Sequence, residues 1–218
     1  SMQFIDFARI CDRLEGISGR LEMIQVLSAE LPALDDMELP LFVRFVMGRI
    51  FPDWSPLKLG IGPNLLYESI AYVAGIRKEA VVEAVNRTGD PGKAVEELLS
   101  GKKQTSFFTE AFSLAGVYRE FGQIAREEGK RSQRGRMLSV RKLLANAQPL
   151  EGRYLARLMM GELRIGIGEG NVRDAIAKAF GVPAGDVEHA FQANNDLGET
   201  AVLARKGQEA LRAVQIEI

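Results

Sequence analysis

The residues whose spacing most directly implies chemistry are two glycine pairs. One lies in Lys58-Leu59-Gly60-Ile61-Gly62-Pro63-Asn64, the other in Arg164-Ile165-Gly166-Ile167-Gly168-Glu169-Gly170-Asn171. A turn of alternating apolar residues and glycines that runs into a helix leaves backbone N–H groups pointing outward, with the positive end of the helix dipole behind them. Glycine lets an anion approach that backbone closely, so the geometry suits phosphate. Lys58 and Arg164, each two residues before the first glycine, supply formal charge, and Asn64 and Asn171 supply side-chain donors. A tight corner between two helices needs the same glycines, so both readings stand for either turn alone. Two copies favour the phosphate reading, because two such turns would hold two phosphate runs of one duplex, as helix–hairpin–helix modules do.

A second cluster of phosphate-contact residue types lies in EEGKRSQRGRM, with Lys130, Arg131, Arg134 and Arg136 among glycine, serine and glutamine. It has no apolar residue before Met137 and reads as an exposed basic loop. A basic run is otherwise simply a solvated face. Residues 126 to 142 hold seven Lys and Arg against two Glu, whereas residues 1 to 38 hold three Arg against eight Asp and Glu. The formal net charge of −1 conceals this asymmetry and does not exclude a nucleic-acid partner, since affinity depends on the cations that reach phosphates.

No catalytic constellation accompanies the turns. There is no Walker-type phosphate loop, no serine or cysteine nucleophile paired with the lone His189, and no metal-ligand spacing, so His189 reads as a neutral surface residue. The chain reads as a binder. Lone Cys11 rules out an internal disulfide and fits a reducing compartment, and no apolar run is long enough to span a membrane.

The elements that must position the turns are helices. LGIGPNLLYESIAYVAG, residues 59 to 75, recurs as IGIGEGNVRDAIAKAFG, residues 165 to 181, and the offset continues from Asp90 and Gly92 to Asp196 and Gly198. Each copy predicts a helix opened by Pro63 or Glu169 and closed by Gly75 or Gly181, then a helix over 76–87 or 183–193. A third helix follows, capped by Asp90 or Asp196, with Glu199 completing a capping box. Upstream, FVMG ending at Gly48 resembles LMMG ending at Gly161 if seven extra residues, including FPDWSP, lengthen the first copy. ELPLFVRFVMGRIF reads as a helix stopped by Pro52, and Trp54 in the loop after it as a packing lid rather than a base-stacking platform. The fold expected is all-α, about ten to twelve helices in two pseudo-symmetric halves, about 2–101 and 107–207, of a single domain.

The strings LMMGELRIGIGEGNVRDAIAKAF, FSLAGVYREFGQIAREEGKRSQRGRMLSVRKLL and NDLGETA resemble the N-terminal DNA-binding domain of archaeal and eukaryotic ATP-dependent DNA ligases, the archaeal enzymes above all. The resemblance covers the chain from Met2. It implies an all-helical domain of two pseudo-symmetric halves that grips nicked duplex DNA across the minor groove through sequence-independent contacts. It implies that the turns Gly60–Asn64 and Gly166–Asn171 are the paired minor-groove contacts, and that Gly129, Ser132 and Arg136 of a Gly-x-x-Ser-Gln-x-x-Lys-like loop meet the phosphate backbone. Arg136 stands where a lysine is expected. The Lys-x-Asp-Gly string of adenylate transfer does not occur, and the chain stops about where an adenylation domain would begin. An excised domain is therefore expected, with no cofactor of its own and with ATP and magnesium belonging to the full-length enzyme. A monomer in the archaeal cytoplasm, associated with the nucleoid, is expected. Gln3, Phe4 and Phe7 form an incomplete version of the motif by which such ligases engage a sliding clamp, although a core helix is the plainer use of the phenylalanines.

Two other readings stay open. One is a helical-repeat protein-interaction module with the acidic residues 1 to 38 facing a partner. The other is a damage-recognition enzyme of the helix–hairpin–helix kind, whose nearest catalytic candidate, Asp174, reads as a first-turn helix charge.

Overall fold

A computed structural model describes residues 1–101, 110–127 and 132–215. They form thirteen α-helices: α1 (Phe4–Glu15), α2 (Arg20–Glu30), α3 (Glu38–Val46), α4 (Pro63–Ala74), α5 (Lys78–Thr88), α6 (Pro91–Ser100), α7 (Leu114–Arg126), α8 (Ser132–Asn146), α9 (Pro149–Met160), α10 (Glu169–Phe180), α11 (Ala184–Asn194), α12 (Leu197–Lys206) and α13 (Gln208–Arg212). The all-α expectation holds, and the helix beyond the expected twelve is the short α13. Extended pairing among the described residues is limited to an isolated bridge between Gln3 and Ser113.

The repeat is written into the backbone residue by residue. Gly62 and Gly168 are the extended N-caps of α4 and α10. Gly75 and Gly181 close those helices in the left-handed region, at φ 69° and 64°. Gly89 closes α5 at φ 71°, and the matching residue of α11 is Asn195 at φ 56°, a side chain that tolerates this region. Asp90 accepts from the Gly92 and Lys93 N–H groups, and Asp196 from those of Gly198 and Glu199. The capping box expected at Asp196 is not completed by Glu199: the Asp196 N–H donates to Asn194 Oδ1 instead, at 3.0 Å.

Packing divides the chain into two compact units. One comprises Ser1–Met2, Ile10–Pro56 and Arg164–Ile218, the other Gln3–Arg9 and Leu57–Leu163. These units cut across the sequence repeat. In the first unit α12 packs on α3 and α10 on α2; in the second α6 packs on α9 and α4 on α8. Each glycine-turn triplet thus uses helices from outside its own copy. The crossings are close, because a Cβ on Gly92 would lie 2.7 Å from the Arg153 carbonyl oxygen and one on Gly198 would lie 2.9 Å from that of Pro40. Across each crossing the capping aspartate meets an arginine. Arg157 donates to Asp90 in the second unit, and Arg44 to Asp196 in the first.

The second unit is built around Phe4, Phe7, Phe121 and Tyr154, and the first around Leu27, Leu39, Phe42 and Phe45, all fully or nearly fully buried. Burial of each such side chain contributes roughly 1.5–3 kcal/mol. Phe4 and Phe7 serve the core, which leaves neither ring presented for a clamp.

Three local expectations are corrected. Helix α3 ends at Val46 and the chain turns at Gly48, φ 75°, well before Pro52. Glycine there stops the helix by adopting the left-handed conformation, so the proline acts only on the loop beyond it. Ser132 to Arg136, read as loop, form the first turns of α8. Arg and Gln are good helix formers, and α8 buries only its C-terminal half, through Val140, Leu143 and Leu144, so its basic first turns extend a helix anchored elsewhere. Trp54 is no lid, being 60% exposed.

Candidate nucleic-acid interface

In the second unit the turn is anchored by its apolar residues and opened by its glycines. Leu59, Leu65 and Leu66 are buried, while Lys58, Gly60, Gly62 and Asn64 are exposed. Gly60 sits at φ 66°. The first hydrogen bond of α4 runs from Leu66 N–H to the Gly62 carbonyl at 3.2 Å, Pro63 has no N–H, and no side chain caps the helix. The N–H groups of Asn64 and Leu65 therefore have no intrahelical acceptor.

The first unit repeats this construction. Ile165 and Val172 are buried, whereas Arg164, Gly166 and Gly168 are exposed and Gly170 is half-buried. Gly166 has φ 73°, Val172 N–H bonds the Gly168 carbonyl at 3.2 Å, and α10 likewise has no side-chain cap. The two turns differ at three points. Arg164 is itself left-handed at φ 62°, a conformation shared by a single other non-glycine among the described residues. Glu169 places a carboxylate where α4 has Pro63, and Arg49 meets it at 2.7 Å while also reaching Asp53 at 3.4 Å. Asn171, expected to serve a ligand, is half-buried with its amide 3.8 Å from the Met23 sulfur. Asn64 is the exposed asparagine.

The second basic element meets the first turn. Arg136, in the second turn of α8, lays its guanidinium beside Gly60, where an added Cβ would come within 3.1 Å of Cζ. Its Nη2 donates to the Glu127 carbonyl at 3.1 Å, and its Nε is buried with no hydrogen-bond partner. Two stretches 76 residues apart in sequence thus share one cationic, glycine-lined surface. Ser132 is half-buried at the start of α8 and Arg134 is exposed one residue before Gly135. Gly129, Lys130 and Arg131 lie outside the described residues.

Elsewhere the chemistry is structural. Asp174 lies in the second turn of α10, not the first, and is held by Arg20 and Arg173. Burial would raise its pKa, but these two hydrogen-bonded guanidiniums outweigh it and hold the carboxyl below its ordinary range. Among the described residues no group of His, Cys, Asp and Glu is placed to hold a metal ion, and no helix is long and apolar enough to cross a membrane. His189 is exposed, its Nε2 3.0 Å from the Val214 carbonyl oxygen. Sequence reading missed Arg49, whose only signal was a cation in the inserted loop, and the buried Arg157 and Arg44, which look like surface charges within amphipathic helices.

Residues 3–177 match the family described as DNA ligase N terminus. The chain is 61% identical over 216 residues to a DNA ligase of Methanoculleus marisnigri, covering 99% of this chain and 39% of that protein. It is 54% identical over 215 residues to a DNA ligase of Methanocorpusculum labreanum, with 99% and 39% covered. The DNA ligase of Archaeoglobus fulgidus is 39% identical over 219 residues, with 100% and 40% covered. The chain spans about two-fifths of the length of these relatives. A match over most of its residues places it plainly: the chain belongs to the DNA ligase N-terminus family.

Proposed function

We propose that this chain binds nicked double-stranded DNA without sequence preference and positions the nick for ligation by catalytic domains of a longer ATP-dependent DNA ligase. The observation that carries the reading is the surface at Gly60, where an uncapped helix start, an exposed glycine backbone and the Arg136 guanidinium converge. Phosphate is the ligand that such a surface fits. The turn at Gly166 offers the same backbone with Arg164 beside it. Minor-groove and backbone contacts carry no base code, in keeping with basic residues spread over loops and helix starts rather than along one recognition helix. The contribution to ligation is orientation of the substrate, with ATP and magnesium used by the catalytic domains. The chain acts as a monomer in an archaeal cytoplasm.

The test is fluorescence anisotropy of a labelled nicked duplex of about twenty base pairs, long enough for the several phosphate contacts expected, titrated with the chain at increasing salt. Binding that falls steeply with salt and is weakened by Arg136→Ala and by Arg164→Ala is expected. Absence of binding at low salt overturns the reading.

One observation favours the protein-interaction reading. Tyr72 and Leu138, 66% and 54% exposed, line a groove of about 350 Å³ between α4 and α8 together with Arg141 and Lys142. Salt-insensitive capture of a protein ligand there, without DNA binding, is what that reading requires. Asp174, the nearest candidate of the damage-enzyme reading, is hydrogen-bonded to Arg20 and Arg173, which favours a structural role for it.

A further inference from the structure

The inserted loop between α3 and the first glycine turn has no counterpart in the second copy, and its ring is exposed. Trp54 is the only tryptophan of the chain and is 60% exposed. The loop is nevertheless well held. Ser55 N–H donates to the Pro52 carbonyl at 2.9 Å, closing a turn with Asp53 and Trp54 at its two central positions. Pro52 and Pro56 flank it and restrict the backbone. Arg49 ties the loop to the start of α10, donating to Glu169 at 2.7 Å and to Asp53 at 3.4 Å. All of these contacts lie within the first unit.

A large aromatic side chain on a rigid corner loses little conformational entropy on binding, and leaving it in water forgoes the burial available to it. The tether puts that corner beside the helix start whose backbone the Gly166 turn exposes. Arg49 also matters electrically. Glu169 at the first position of α10 would repel a phosphate brought to that turn, and Asp53 would do the same; both carboxylates are engaged by the one guanidinium.

We propose that the 49–55 loop is a further element of the duplex-binding surface, with Trp54 as its contact residue and Arg49 as the residue that positions it. The inference rests on the DNA-binding reading above. The indole face packs on deoxyribose and the ring N–H donates to a phosphate oxygen, contacts that are indifferent to sequence.

The test uses the unique tryptophan as its own reporter. The chain is titrated with the labelled nicked duplex while anisotropy of the label and emission of Trp54 are followed together. Emission is expected to change with the same midpoint as anisotropy. Trp54→Ala is expected to weaken binding roughly three- to tenfold, the range for one aromatic contact, with the melting temperature unchanged. Trp54→Phe should recover most of the loss. Arg49→Ala should weaken binding at least as much, and its effect should be smaller in the Trp54→Ala background, where the positioning share is lost and only the repulsion from the released Glu169 and Asp53 remains. Saturable anisotropy with constant Trp54 emission overturns the proposal and leaves the DNA-binding reading standing. Fully additive losses in the double variant overturn the positioning role of Arg49. Flat anisotropy at low salt removes the DNA-binding reading and the proposal with it.

Discussion

Arg157 donates to the Asp90 carboxylate through Nε at 3.0 Å and Nη2 at 2.6 Å, and the same carboxylate caps α6 by accepting from Gly92 and Lys93. Both side chains are almost wholly buried, at 2% and 4% exposure. Arg44 and Asp196 reproduce this in the other unit. One residue therefore ends a loop, starts a helix and locks that helix to its neighbour. Removing a single partner strands a buried charge, so Arg157→Ala or Asp90→Ala is expected to destabilise the chain by about 3–5 kcal/mol in chemical denaturation. Replacing both partners with apolar residues should cost less than either single change.

The Gly60 surface makes a sharper prediction about binding. Gly60→Ala meets two penalties, a left-handed φ of 66° and a Cβ 3.1 Å from Arg136 Cζ. Gly75→Ala meets only the first, since nothing lies within 4 Å of its Cβ position at φ 69°. Both substitutions should cost roughly 1–3 kcal/mol of stability. Only Gly60→Ala should also weaken duplex binding, which anisotropy at a fixed salt concentration would read.

Arg164 separates stability from binding in the opposite sense. Its φ of 62° is strained for a residue with a Cβ, and a glycine there relieves that strain. Arg164→Gly is expected to melt at a higher temperature than Arg164→Ala, with the duplex complex weakened in both. Arg164→Ala keeps the strain and loses the same charge. Both variants should reduce the slope of log affinity against log salt by about one.

Asp174 predicts a pH dependence. Arg173 and Arg20 lower its pKa in the folded chain below the ordinary value of 3.8. A depressed folded pKa means that the unfolded chain takes up the proton first. The stabilisation is therefore present above about 3.8 and is lost as pH falls through the lower folded value. Asp174→Asn should be the less stable protein at neutral pH, and its deficit should shrink as the solution is acidified, as followed by denaturant midpoints across that range.

What the sequence by itself determined is what depends on a few consecutive residues. The Asp90 and Asp196 caps, the glycine stops at Gly75 and Gly181, and the helix starts after Gly62 and Gly168 were legible because caps and turns are satisfied by atoms within one or two turns of chain. The 106-position repeat was legible for the same reason, since each copy writes the same local chemistry. Local signals failed where they were weak. The basic start of α8 carries no apolar residue until Met137 and so looked like loop, although its helix is anchored further on by Val140, Leu143 and Leu144.

What only the tertiary structure decided is which copy's helix meets which partner. Nothing in a periodic pattern says that α3 packs on α12 and α9 on α6, because an apolar stripe matches any other stripe of suitable width. That choice turned Arg44 and Arg157 from apparent surface cations into buried partners of the caps. It also brought Arg136 against Gly60, and Arg49 against Glu169. Long-range contacts are fixed by the simultaneous fit of many buried side chains and by close crossings such as those at Gly92 and Gly198. The glycine turns were therefore visible in the chain, whereas the placement of Arg136 against Gly60 and of Arg49 against Glu169 was decided only by the fold.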